Sequence, residues 1–313
     1  MLRRRDFEKI QNITGFNIDI LEKTYHLMRT LKEIYEDKLL SNNITLKGGT
    51  SLNFLYLDIP RLSIDLDFNF TGSIDKDKTI KLRPNIEENI EKLSEQLGYK
   101  IVRKPPSYIL SRYNLQYQTI RNTKDHIKIE INYLERKPIG KIIEKHITTL
   151  FPDIDSFKIK TYTLEELAAQ KIKACIERTE ARDIYDIYRI SKQDLNLELL
   201  QKYVTIYYCM TNGNIDIESF LGSIREYNLD KLKQEIQQFI RNTEDIKAEE
   251  IQKDTIHFLE KVLNLGEKEK EFINIFYRKQ KIRYDLLFKD RIDIKNHPSL
   301  LHRIYTIQKQ GMK

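Results

Sequence analysis

Two aspartates lie two residues apart in an otherwise apolar part of the chain. Asp65 and Asp67 belong to the segment RLSIDLDFNF (61–70), where they alternate with Ile, Leu and Phe. In a β-strand this alternation places the apolar side chains on one face and both carboxylates on the other. Two carboxylates this close repel each other in a partly desolvated site unless a cation neutralises them. The pair therefore indicates a site for a hard cation, Mg²⁺ or Mn²⁺, rather than zinc.

A Gly-Gly-Thr-Ser turn, Gly48 to Ser51, precedes this strand and leads into a short helix predicted over 51–56. Its backbone N–H groups and a hydroxyl are suited to binding phosphate. Each feature also has an ordinary explanation, because Gly-Gly turns punctuate many loops and an Asp-x-Asp pair can lie on a solvated sheet face. Their occurrence together favours a functional site.

A third acid occupies a comparable position in HIKIEINYL (126–134). Here Lys128, Glu130 and Asn132 share one face of a predicted strand, opposite three isoleucines. If this strand pairs beside the Asp-x-Asp strand, Glu130 completes a three-carboxylate cluster. Such a cluster can hold two metal ions that clamp an in-line displacement at phosphorus. The alternative is a solvated acid on an edge strand.

A lysine and two aspartates further along the chain form a second set of candidates. On a helix over Leu164 to Arg178, Lys171 lies on a face of apolar and small residues, so it either extends to solvent or binds an anionic partner. Asp183 and Asp186 follow one turn apart on the next predicted helix. Acids are favoured in a first helical turn, and this explains Asp183 better than Asp186.

The elements that position these residues change in character along the 313 residues. Residues 1–160 mix predicted helices and strands, and 161–313 read as long, charged, amphipathic helices. We therefore predict an α+β lobe followed by a helical lobe. In the first lobe, helices are predicted at 18–40, 51–56 and 79–97, and strands at 44–46, 63–70, 99–102, 108–119 and 125–133. In the second, helices are predicted at 164–177, 182–191, 195–208, 217–227, 231–241, 247–263 and 267–288.

Composition limits the classes of protein to which the chain can belong. No apolar run is long enough for a membrane span, and no secretory signal is recognised at the start. The two cysteines, Cys175 and Cys209, indicate a reducing cytoplasmic location and offer neither a disulfide framework nor a zinc site. The net charge of +7 favours nucleotide or nucleic-acid partners. Basic and aromatic residues alternate over 276–298, which indicates either RNA contact or an amphipathic helix with a charged outer face.

The order of these motifs resembles the polymerase-β-type nucleotidyltransferase superfamily. More narrowly, KGGTSLNF…RLSIDLDFNF, followed by LEELAAQKIKACIERTEARDIYDIY and RYDLLFKDRIDIKNHPSL, resembles the AbiEii/MenT-type nucleotidyltransferase toxins of type IV toxin–antitoxin systems. The resemblance implies an α+β fold with a mixed sheet, flanking helices and a C-terminal helical lobe. It also implies transfer of a nucleoside monophosphate from an NTP to an acceptor, with a tRNA 3′ end as the expected acceptor, and a cognate antitoxin encoded nearby.

Roles for individual residues follow as expectations. Asp65 and Asp67 are expected to bind the metal ions, with Glu130 assisting and serving as the candidate base. The triphosphate is expected to be held by Lys47, Gly48, Gly49, Thr50 and Ser51, with Ser63 adding a hydroxyl. The resemblance implies a phosphate contact by Lys171, and a catalytic or lysine-positioning role for Asp183 or Asp186. Two alternatives stay open: a nucleotidyltransferase acting on a small molecule or protein, and a non-catalytic nucleotide- or RNA-binding module.

Overall fold

The computed structural model describes residues 2–103, 107–211 and 216–311, which fold into two compact units. The first unit comprises the described residues of Met1–Pro138, Ile142–Tyr162 and Gln237–Ile246. The second comprises those of Ile139–Lys141, Thr163–Ile236 and Lys247–Lys313. Within the described residues, no helix is both long and apolar enough to cross a membrane.

The first unit contains both helices and strands. Its elements are α1 (Arg4–Thr14), α2 (Ile18–Glu36), α3 (Lys38–Asn43), β1 (Ile44–Lys47), α4 (Gly48–Leu55), β2 (Asp65–Phe70), α5 (Lys76–Gln96), β3 (Lys100–Arg103), β4 (Leu110–Gln118), β5 (Lys124–Asn132), β6 (Ile142–Ile147) and β7 (Phe157–Tyr162).

Five of these strands form a mixed sheet in the order β1-β2-β5-β4-β3, and β6 pairs with β7 in a separate hairpin. Strand β2 runs antiparallel to β1 and parallel to β5. One face of β2 carries Leu66, Phe68 and Phe70, all fully buried. Burial of such side chains contributes about 1.5–3 kcal/mol each. A slip of one residue would expose all of them, so the core fixes the strand register and with it the positions of the carboxylates.

The predicted helix over 18–40 is wrong at one position, because the helix is interrupted at Asp37. Helix α2 ends at Glu36, and Asp37 adopts an extended conformation with φ −74° and ψ 119°. Its carboxylate accepts a hydrogen bond from Leu40 N at 2.8 Å and so begins α3. Aspartate is a favoured N-cap residue, and here the cap replaces continuation of the helix.

The second unit is helical. Its elements are α6 (Leu164–Arg178), α7 (Ala181–Ile190), α8 (Leu197–Cys209), α9 (Ile217–Arg225), α10 (Leu229–Gln237), α11 (Ala248–Leu263), α12 (Glu267–Lys279) and α13 (Pro298–Gly311), with 3₁₀ turns at Tyr284–Leu286 and Ile292–Asn296. The predicted α+β fold with a mixed sheet, flanking helices and a helical C-terminal part is therefore confirmed.

The predicted helix over 267–288 is wrong beyond Lys279. Gln280 takes the left-handed conformation with φ 48°, which ends α12. A continuous helix would place Lys279 and Arg283 on the same face as the buried Phe276, yet both side chains are exposed. Breaking the helix leaves these cations in solvent and lets Ile282 and Leu287 be buried instead. The hairpin β6–β7 and helices α1 and α13 were not predicted.

Candidate active site

Asp65 and Asp67 lie on one face of β2, and both side chains are partly exposed. Leu66, between them, is fully buried on the opposite face. The hydroxyl of Thr50, in the first turn of α4, donates a 2.6 Å hydrogen bond to the carbonyl of Asp65. This bond fixes the start of α4 to the start of β2. The carboxylate pair and the glycine turn are therefore held together by a hydrogen bond between a side chain of α4 and the backbone of β2.

Gly48 brings the first turn of α4 against the Asp67 carboxylate. Its φ is +72°, and a Cβ built at this position would lie 2.7 Å from Asp67 Oδ2. Glycine is required here both for the left-handed backbone and for the close approach. The first N–H groups of an α-helix have no partner within the helix and carry partial positive charge. A helix terminus suited to anions thus adjoins a carboxylate suited to a cation, an arrangement that fits a metal-bound polyphosphate.

The surroundings of Asp67 favour a cation. Burial raises the pKa of its carboxyl group, and the nearby charges of Asp65 and Glu130 raise it further, against the lowering effect of Lys47 and Lys128. Burial is thus the main cause of the raised pKa, and Asp65 and Glu130 add repulsion at the Asp67 carboxylate. A hard divalent ion with oxygen ligands would relieve this repulsion.

Glu130 lies beside Asp67, since their Cα atoms are register partners across the parallel β2–β5 pair. Its Oε1 accepts Arg112 Nε at 2.7 Å and Lys128 Nζ at 3.1 Å. Across the described residues, no group of three or more His, Cys, Asp or Glu side chains is arranged to hold a metal ion. The expected three-carboxylate cluster is thus not assembled. Asp65 and Asp67 alone fit Mg²⁺, which commonly takes one or two carboxylates and completes its shell with water and substrate phosphates.

Two hydroxyls of the turn act inside the fold. Thr50 binds the carbonyl of Asp65, as above, and the buried hydroxyl of Ser51 pairs with that of Thr161. Thr161 Oγ1 in turn donates to the carbonyl of Leu46 at 3.1 Å. These bonds order the turn and leave its backbone N–H groups as the donors suited to phosphate.

Arg61 is a site residue that sequence reasoning missed. A Cβ at Gly49 would lie 2.9 Å from Arg61 Nη2 and 3.2 Å from Ser63 Oγ, so both side chains adjoin the glycine turn. Arg61 is only 3% exposed, and its Nη1 donates to the carbonyl of Leu62 at 3.0 Å. Lys47, at the N-cap of α4, instead forms an ion pair with Glu135 at 3.2 Å. The available signal was an arginine four residues before Asp65 in the Arg-Leu-Ser-Ile-Asp segment.

The second set of candidates forms a buried ion cluster within the second unit. Lys171 Nζ lies 2.9 Å from Asp183 Oδ1 and 2.9 Å from Asp186 Oδ2. Arg178 Nε lies 2.7 Å from Asp183 Oδ2, and its second nitrogen donates to Oδ1. Both aspartates are fully buried, and Lys171 is 7% exposed. Two cations therefore meet two carboxylates, and the cluster fastens α7 to α6.

The protonation of Asp183 is set by this cluster. Burial acts to raise the pKa of its carboxyl group, but the charges and hydrogen bonds of Lys171 and Arg178 outweigh burial and hold the pKa well below its usual range. Asp183 and Asp186 both bind Lys171 directly, so either can orient its ammonium group. The phosphate contact of Lys171 stays a prediction.

The basic and aromatic segment over 276–298 serves partly as core. Phe276 is fully buried and stacks on Phe272 with ring centroids 6.5 Å apart, so it cannot stack on a base. Arg283 and Arg291 form local ion pairs with aspartates two residues further on. These observations favour the structural explanation for that part of the segment.

Comparison with known proteins identifies the class. A family model for the nucleotidyltransferase AbiEii toxin of type IV toxin–antitoxin systems matches residues 29–271. The chain therefore belongs to the AbiEii family, as the order of its motifs predicts, and is a nucleotidyltransferase. The comparison with curated proteins found no match.

Among solved structures, the fold is similar to that of MenT4, a nucleotidyltransferase toxin from Mycobacterium tuberculosis H37Rv. The TM-score is 0.67 at 13% sequence identity, over 96% of this chain and 99% of MenT4. At this identity the similarity establishes a shared fold. It extends over nearly the whole of both chains.

Proposed function

We propose that the protein transfers a nucleoside monophosphate from an NTP to an acceptor in a Mg²⁺-dependent reaction, and that the acceptor is the 3′ end of a tRNA. The observation that carries the proposal is the contact between the first turn of α4 and Asp67, beside Asp65. A chain of the AbiEii family that places a helix N-terminus against a carboxylate pair has the two components needed to hold a metal-bound triphosphate.

In this proposal Asp65 and Asp67 hold the cation, which would supply charge neutralisation and orientation of the phosphate oxygens. The backbone N–H groups of Gly48 to Ser51 bind the triphosphate. Arg61 and Ser63 adjoin Gly49, so they can donate to the same phosphates. Lys47 contributes positive charge next to the turn, with Glu135 fixing its ammonium group. These groups act as preorganised donors for charge that develops during transfer.

The proposed transfer is an in-line displacement at the α-phosphorus of the NTP. An acceptor hydroxyl oxygen bonds to the α-phosphorus, the bond from that phosphorus to the α–β bridging oxygen breaks, and pyrophosphate leaves. The hydroxyl proton needs a base, and Glu130 is the candidate because it neighbours Asp67 in register. Arg112 and Lys128 both contact Oε1 of its carboxylate, so Oε2 is the oxygen proposed to accept the proton.

Lys171 is proposed to stabilise the developing phosphate charge, with Asp183 and Asp186 orienting its ammonium group. The observation in support is that a lysine is held by two buried carboxylates in a fixed position. We further propose a cytoplasmic site of action and a cognate antitoxin encoded nearby, because the family consists of type IV toxin–antitoxin components.

Labelling of total tRNA tests the proposal. Wild-type protein is incubated with each of the four α-labelled NTPs in turn, Mg²⁺ and tRNA, and compared with Asp65→Ala and Lys171→Ala. Asp155→Asn is the matched control, since the side chain of Asp155 is 94% exposed. We expect label in tRNA with the wild type and the control only. Equal labelling by wild type and Asp65→Ala would exclude the proposed transfer, whereas label found only in a small molecule or protein would reassign the acceptor.

A further inference from the structure

A cavity of about 450 Å³ lies at the end of the five-stranded sheet, between α5 and the turn that follows β5. Its walls include Lys76, Ile80, Arg83, Tyr108, Tyr133 and Arg136. The volume falls within the range of small-molecule sites. Tyr133 packs on Phe70, on the apolar side of the sheet, whereas Glu130 lies beside Asp67 on the carboxylate side. The cavity is therefore distinct from the carboxylate site.

Arg136 gives this cavity a positive charge, which the Asp75 carboxylate attracts without forming an ion pair. Its Nη1 donates to the carbonyl of Tyr133 at 2.9 Å, but its Nε is buried and has no hydrogen-bond partner in the structure as described. No carboxylate of the described chain forms an ion pair with it, and burial lowers the pKa of its guanidinium group. A partly buried guanidinium with an unsatisfied donor is costly, and an anionic ligand would satisfy it. Lys76, exposed at the rim, adds a second cation, and its Nζ lies over one face of the Tyr108 ring, 5.7 Å from the ring centroid.

An aromatic ring at the mouth of the cavity offers a stacking surface. Tyr108 is 63% exposed, and the neighbouring Ile80 is 50% exposed. Arg83 fixes the segment that carries the ring, because it donates to the carbonyls of Ser107 and Tyr108 at 2.9 and 2.8 Å. The Arg83 guanidinium itself stacks on Tyr133, 4.4 Å from the ring centroid. The tyrosine ring is thus exposed on an ordered wall, next to the two cations.

We propose that this cavity binds a nucleoside phosphate, with its phosphate on Arg136 and Lys76 and its base on Tyr108. Apolar walls, a stacking ring and an unsatisfied guanidinium are what a flat base linked to a phosphate requires. A free nucleotide and an unpaired nucleotide of an RNA present the same chemistry. Glu135, the residue before Arg136, forms an ion pair with Lys47 at the N-cap of α4.

Tyr108→Trp creates a specific reporter, since the chain contains no tryptophan. The variant is made in an Asp65→Asn/Asp67→Asn background and titrated without Mg²⁺ with AMP, adenosine, inorganic phosphate, a short single-stranded RNA and a poly-glutamate peptide. We expect saturable quenching of the indole by AMP and at least tenfold weaker binding of adenosine, which lacks the phosphate. Arg136→Gln should weaken AMP binding at least tenfold, and Arg4→Gln, on the exposed surface of α1, should not.

Tighter binding of RNA than of AMP identifies an RNA nucleotide as the occupant, and equal or weaker binding identifies a free nucleotide. The proposal is overturned if AMP causes no quenching, if adenosine binds as well as AMP, or if Arg136→Gln has no effect. Quenching by poly-glutamate at the affinity of AMP also overturns it, in favour of an acidic protein partner. If Arg136→Gln does not fold, Lys76→Gln replaces it: weaker AMP binding by Lys76→Gln supports the proposal, and unchanged binding overturns it. The test is independent of the proposed transfer reaction, because both active-site aspartates are absent from the background.

Discussion

Replacement of Lys171 by methionine should destabilise the protein strongly. The change removes the cation that lies 2.9 Å from both Asp183 and Asp186, two fully buried carboxylates. Asp183 keeps Arg178, but Asp186 loses its ion pair with the lysine. Removal of one partner from a buried ion pair typically costs about 3–5 kcal/mol. We expect a loss of that size in the free energy of unfolding, measured by urea titration with circular dichroism.

Two further variants separate the causes. Lys173→Met removes a lysine from the same helix whose ion pair with Glu177 has i,i+4 spacing, and it should cost less than about 1 kcal/mol. Lys171→Met/Asp186→Asn removes one charge of each sign, leaves Asp183 with Arg178, and should recover most of the lost stability. A double variant that is stable but inactive in tRNA labelling would assign Lys171 a function beyond stability. The reasoning is refuted if Lys171→Met unfolds no more readily than Lys173→Met.

Three more predictions test the site and its support. Gly48→Ala and Gly98→Ala should each lower the free energy of unfolding by about 1–2 kcal/mol, since both glycines have positive φ. Only Gly48→Ala should abolish transfer, because its Cβ displaces the Asp67 carboxylate. The Cβ of Gly98→Ala meets no atom within 4 Å. Chelation of divalent ions should abolish transfer and Mg²⁺ should restore it; full activity in excess EDTA would contradict the metal assignment. Burial and the charge of Arg29 lower the pKa of His26 to about 4 in the folded protein. The folded state therefore favours neutral His26, and this contribution to the free energy of unfolding is fully present above pH 6.5 and is lost as pH falls toward 4. This loss amounts to roughly 3 kcal/mol and should be absent in His26→Gln; identical pH profiles of unfolding would contradict it.

The alternation of apolar and polar residues predicted two strands of the site, because each of these strands has one buried face. The alternation around Asp65 and Asp67 predicted which side chains share a face, and that around Glu130 predicted the neighbouring strand. The ionic partners of Glu130 were not predictable in the same way. Arg112 comes from β4, and its contact depends on a register that only the folded sheet defines.

Arg61, at the carboxylate site, and Arg136, in the separate cavity, show why some cations could not be identified from the sequence. The loop before β2 contains Asp58 and Ile59 with positive φ, and Leu62 N donates to the carbonyl of Phe239, far away in sequence. This long-range contact places Arg61 beside Gly49, and no local pattern encodes it. Arg136 could not be identified from the sequence, because it is notable only for its partial burial without an ion-pair partner among the described residues. Both properties depend on the folded structure. Local periodicity therefore predicted the carboxylate strand, whereas tertiary contacts determine the cations around it.

The most direct test of the central claim is to follow the two ends of the triphosphate separately. Wild-type protein is incubated with tRNA, Mg²⁺ and an NTP labelled at either the α- or the γ-phosphorus, beside Asp67→Asn and the exposed control Asp155→Asn. The account predicts that α-label enters the tRNA while γ-label leaves as pyrophosphate, with the wild type and the control alone. Entry of γ-label into the tRNA, release of γ-label as inorganic phosphate, or undiminished transfer by Asp67→Asn would contradict it.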